Sequence, residues 1–184
     1  MQEQLSQIVH DFETARVRLH RLAAKTPVEK FSARNNPNGW SVAECVAHLN
    51  LTSRAYVSLL NDAFAKSPKL AVAPTHYKHD TIGWLIGKLV GPLPRIGTFK
   101  FGRMPTTPSF VPNGKEPREK LLADFEVLQD EQVALTKSAE GRALEKIHIV
   151  SPFNARMKYN AYSCLVLLPP HQHRHLEQAE NVWE

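Results

Sequence analysis

The sequence predicts an all-α protein, a four-helix bundle with a long proline-rich connection between its second and third long helices. Three observations predict it. Apolar residues recur at steps of three and four over long stretches, which is the spacing of one helical face. A capping box opens the second stretch, and prolines crowd the segment that follows it. The 184 residues suit a single domain spanning 1–184.

The first helix is expected over residues 4–24, where Leu5, Ile8, Phe12, Ala15, Leu19 and Leu22 form the apolar face. A loop with turn chemistry follows, closing in Asn35-Asn36-Pro37-Asn38-Gly39. In Trp40-Ser41-Val42-Ala43-Glu44, the Ser41 hydroxyl can accept from the Glu44 amide while the Glu44 carboxylate accepts from the Ser41 amide. This reciprocal pair sets the start of the second helix. Val42, Cys45, Val46, Leu49, Tyr56, Leu59, Leu60 and Ala63 carry its face to about residue 65.

Residues 67–114 hold seven prolines, too many for long regular elements. Asp80 to Leu89 can still form a short helix carrying Trp84. Nothing chemically pointed stands in this connection, so it reads as packing over a bundle end rather than as a lid. The third long helix should follow Gly114, with Pro117 in its first turn. Leu121, Phe125, Leu128 and Leu135 mark its face to about residue 138, before Gly141. A fourth helical pattern covers Tyr159 to Trp183, and Pro169-Pro170 predicts a break or kink within it.

Composition narrows the function classes. Hydrophobic residues at 42% and charged residues at 22% describe an ordinary globular chain. The formal net charge of +5 permits an acidic partner. However, Lys115, Arg118 and Lys120 alternate with Glu116 and Glu119, and no basic stripe with interleaved aromatics is present, which argues against nucleic acid as a partner. Cys45 and Cys164 are far apart in apolar surroundings, as buried thiols of a reducing compartment are. The apolar run Trp84 to Leu93 is short and contains Lys88, so no membrane partner is expected. The amino-terminal residues lack the basic and apolar regions of a secretory signal, and a cytoplasmic location is the expectation.

Most of the nine histidines need no special role. His10 and His20 lie on the first helix beside charges, His76 and His79 in the connection, and His148 in a linker. His171 and His175 differ, because a spacing of four leaves two side chains about 40° apart around a helix, with Cβ atoms within ~6 Å. Two imidazoles so placed can aim at one point ~2.0–2.1 Å from each. Cys164 and Leu168 precede them on the same face and Gln178 and Val182 follow, which turns the pair inward. His173, about 200° around the helix from His171, should face solvent. His48 lies on the inward side of the second helix. Ligands that converge from facing helices are how bundles build metal sites, and three neutral imidazoles leave positions open for water or substrate.

Two segments also resemble a known family. Gly39-Trp40-Ser41-Val42-Ala43-Glu44 with Ala47-His48-Leu49-Asn50, and His171-Gln172-His173-Arg174-His175-Leu176-Glu177-Gln178-Ala179-Glu180, are similar to the second- and fourth-helix signatures of the DinB-like superfamily. Met104 to Pro112 resembles the proline-rich connection of one of its subgroups. The resemblance implies a metal-binding bundle in which His48, His171 and His175 hold a divalent ion, zinc or nickel ahead of iron or manganese. It implies a small-molecule substrate, a homodimer, and an enzyme of one of two kinds: a hydrolase, or an S-transferase using a low-molecular-weight thiol such as bacillithiol or mycothiol. The residues leave open a metal-binding protein without turnover and a plain helical interaction module. Glu44 reads as a cap rather than a general base, Gln178 reads as packing, and no Asp or Glu stands out as an acid–base partner.

Overall fold

In the structure, a computed structural model, residues 1–91 and 106–183 are described, together with the backbone of two short strands between them. Pro92, Pro94, Met104 and Pro105 of the expected connection lie outside the described residues. Four long helices dominate: α1 (Glu3–Lys25), α3 (Val42–Ala65), α5 (Arg118–Ser138) and α6 (Ala161–Glu180). α1 and α3 each pack against both α5 and α6, which is the cyclic neighbour pattern of a four-helix bundle. Two short helices, α2 (Val28–Phe31) and α4 (Thr81–Val90), flank them, and a 3-10 turn covers Pro108–Phe110. Strands β1 (Arg95–Ile96) and β2 (Phe99–Lys100) pair antiparallel. No helix of the described residues is long and apolar enough to cross a membrane.

The helix boundaries follow from local chemistry. Gln2, Ser41, Asp80 and Asn160 cap α1, α3, α4 and α6, each side chain accepting from an amide of the first turn. At α3 the capping box is complete: the Glu44 amide donates to Ser41 Oγ at 3.1 Å and the Ser41 amide to Glu44 Oε2 at 2.8 Å. Gly114 takes a left-handed φ of +66° ahead of α5, and a Cβ there would stand 3.2 Å from Glu44 Oε1. Glycine meets both demands. Pro117 is the N-cap of α5, one position before the expected first turn.

Two expectations fail on the fourth helix. It starts at Ala161 rather than Tyr159, because Tyr159 belongs to a hairpin of β3 (His148–Val150) and β4 (Lys158–Asn160). His148 therefore sits in a strand and not in a linker. Pro169-Pro170 also does not end the helix, which runs through both to Glu180. The prolines withdraw two amide donors, but α1, α3 and α4 all pack on α6 and bury Leu165, Leu167, Leu168 and Pro169. Tertiary burial outweighs the local penalty here.

The core is divided. One apolar cluster gathers Phe12, Tyr56, Leu60, Leu165 and Leu168, and a second gathers Ala15, Val46, Leu49, Phe125 and Leu176. Between them runs a polar layer. Gln129 donates to the Phe12 carbonyl at 2.8 Å and exchanges two amide bonds with Gln172, at 3.0 and 2.8 Å. Gln132 donates to Gln129 Oε1 at 2.9 Å. Each of these amides is almost fully buried, and the bonds among them offset the cost of placing such groups in a core, although Gln132 Oε1 has no partner among the described residues. Gln129→Leu removes the partners of Gln172, Gln132 and the Phe12 carbonyl together, and chemical denaturation should show a loss of about 1–3 kcal/mol.

Candidate metal centre

α3 carries His48 seven residues past its cap, beside Leu49, the last α3 residue of one apolar cluster, and two turns before Tyr56, the first of the other. α6 carries His171 and His175 on the stretch between Leu168 and Leu176, where the same change of cluster occurs. The three imidazoles thus meet at the level of the polar layer. Their ring centroids lie 4.4 Å apart for His48 and His175, 4.7 Å for His171 and His175, and 5.3 Å for His48 and His171. One nitrogen from each lies within 4.8 Å of the others, close enough for all three to bind a single metal ion. All three predicted residues are brought together.

Two of the outer nitrogens are engaged. His48 Nδ1–H donates to the Phe110 carbonyl at 2.8 Å, and His175 Nδ1–H donates to Gln178 Oε1 at 3.1 Å. Each bond selects the tautomer that leaves Nε2 bare, the form a metal requires. Trp40 covers one side, its ring 5.9 Å from that of His175 and nearly parallel to it, and 5.0 Å from that of His48. Phe153, in the β3–β4 hairpin, stands 6.2 Å from His171.

The electrostatics favour neutral rings. Burial, then repulsion from His48 and Arg174, pushes His175 down to about 3. Burial and the other two imidazoles hold His171 well below the usual histidine value, and burial lowers His48 as well. A donor set of three neutral imidazoles fits a divalent transition-metal ion. The rings open onto a cavity of about 380 Å³ whose walls include Ile86, Val90, Leu167 and Leu168.

Other readings change. Gln178 does not simply pack: it orients His175, and its i,i+3 spacing from that residue was the available signal. His173 points away from the centre yet is not a solvent residue, because α1 crosses it. Its Nε2–H donates to the Asp11 carbonyl at 3.2 Å, and Arg18 donates to the His173 carbonyl at 3.1 Å. Glu44 keeps its capping role, and the Arg34 guanidinium holds its carboxyl below the usual carboxylate range. The connection contributes chemistry after all, through the Phe110 carbonyl, a backbone group with no sequence signature.

The family model of the DinB superfamily matches residues 11–179. No curated protein and no solved structure shows a significant match to the chain.

The depressed histidines set a pH dependence. A group whose folded value lies below its unfolded ~6.5 binds its proton more tightly when unfolded, so its contribution to stability is full above ~6.5 and is lost as pH falls from there. Thermal melts of metal-free protein should fall between pH 7.5 and 5.0. His175→Leu should lose less over the same interval.

Proposed function

Because the chain belongs to the DinB superfamily, we propose that His48, His171 and His175 bind one divalent metal ion, in an enzyme of small-molecule metabolism or detoxification. The observation that carries this reading is the convergence of three imidazoles, two of them oriented by hydrogen bonds, on one cavity. Three protein ligands leave coordination positions for an exogenous group, as catalytic sites do and closed structural sites do not.

Of the two reaction types, thiol S-transfer has the better support. Among the described residues lining the cavity there is no Asp or Glu, and the nearby carboxylate of Glu44 is committed to Ser41 and Arg34. Metal-dependent hydrolases commonly place a carboxylate as base beside the attacking water. A metal of the zinc or nickel type bound here supplies the Lewis acidity that lowers the pKa of a thiol. The chain's own residues then have three tasks. The imidazoles define the point of attachment, the Phe110 carbonyl and Gln178 keep them aimed, and the apolar walls hold a small electrophile against that point and limit water.

Protein purified without a histidine tag should carry about one zinc or nickel ion per chain. Competition with a chromophoric chelator should show His48→Ala losing metal affinity at least about a hundredfold, and Gln178→Met losing roughly tenfold or more. His173→Ala should keep its metal and lose only stability. The loaded protein should accelerate conjugation of a low-molecular-weight thiol to monochlorobimane, and His48→Ala should not. A metal-replete protein that leaves every thiol unreacted while cleaving esters or amides overturns the transferase reading in favour of the hydrolase.

A further inference from the structure

We propose that the hydroxyls of Thr52, Tyr56, Ser151 and Tyr159 form a second pole of the histidine cavity, which binds an uncharged hydrogen-bonding group on the ligand. The proposal rests on the metal reading for the ligand's other end, and names the substrate class as a largely apolar, non-cationic molecule with an amide, carbonyl or hydroxyl group remote from the metal.

All four residues line the same cavity as the histidines. Thr52 and Tyr56 follow His48 on α3 by one and two turns, about 6 and 12 Å along the helix axis. Tyr56 and Tyr159 share a hydroxyl–hydroxyl bond of 2.5 Å, and Ser151 stands against both phenols. Two phenols joined by one such bond retain one O–H and spare lone pairs. Burial raises both phenols far above ordinary tyrosine, so they remain neutral donors.

Thr52 is the sharper observation. Helical threonines commonly bond the carbonyl four residues back, and Thr14, Thr26 and Thr136 do so here at 2.8–2.9 Å. Thr52, 2% exposed, has no partner for Oγ1. A buried hydroxyl left unpaired is destabilising, and its place in the cavity lining gives a ligand the means to supply the missing partner.

The rest of the lining sets the charge and shape of the ligand. Among the described residues it contains no carboxylate to match a cation. Its one guanidinium, Arg174, lies between the two α6 histidines in sequence and donates to the Leu89 carbonyl at 2.8 Å. Ile86, Val90, Phe153, Met157, Leu167 and Leu168 supply apolar wall, alongside Thr106, Thr107 and Asn154.

The test uses two thiols of equal chain length, N-acetylcysteamine, which carries an amide, and 1-pentanethiol, which does not. Calorimetry measures both on zinc-loaded and metal-free protein. The amide-to-alkyl affinity ratio should fall roughly three- to tenfold in Thr52→Val and in Tyr159→Phe, the worth of one neutral hydrogen bond. Thr52→Ser should retain the wild-type ratio, and zinc affinity should not change in any of the three. A ratio that is the same in wild type and all variants overturns the proposal, as does failure of both thiols to bind either form. If zinc is not retained but the ratio still falls in the metal-free variants, the second pole stands and the metal reading fails.

Discussion

Three imidazole rings with centroids as close as 4.4 Å share a partly buried pocket, where burial and mutual repulsion disfavour their charged forms. Much of the surrounding structure answers to that constraint. Burial disfavours the proton on each ring, neighbouring rings and Arg174 add repulsion, and the Phe110 carbonyl and Gln178 choose the tautomer. The resulting point, faced by one nitrogen from each of the three rings, is electron-rich and short of protons, which is a description of a cation site reached without reference to any ion.

The bundle makes room for this chemistry by dividing its core. Had the apolar stripes of α1, α3, α5 and α6 run unbroken, the level of His48 and Gln172 would be filled with aliphatic side chains. A layer of hydrogen-bonded amides on one side and imidazoles on the other separates two apolar clusters instead. The β3–β4 hairpin then packs against α3 and α6, and supplies Ser151, Phe153, Met157 and Tyr159 to the cavity wall. Rigid helices position the metal-facing groups, and the hairpin shapes what can approach them.

Much of this was legible in the sequence because it is written at helical period. Leu5, Ile8, Phe12, Ala15, Leu19 and Leu22 are all buried as their spacing requires, the Ser41–Glu44 pair caps α3 as read, and the i,i+4 histidines meet His48. What was illegible lacks a period or depends on a distant partner. Strands of three residues are too short to show alternation, so β3 and β4 passed as linker and helix. Pro169-Pro170 carries a strong local signal that packing overrides. His173 lies on the face expected to be wet, and only the position of α1 covers it. The Phe110 carbonyl could not be read at all, since any residue type offers one.

That carbonyl has a thermodynamic consequence. Phe110 lies 62 positions from His48 along the chain, in a 3-10 turn of the connection. Seating of the turn and preparation of the imidazole for an ion are therefore linked equilibria. Whatever factor the seated turn would add to the affinity for an ion, an ion bound there would return to the seating of the turn, because coupling between two binding events is reciprocal. A stretch of chain that would otherwise only bridge two helices would thus register the occupancy of the centre.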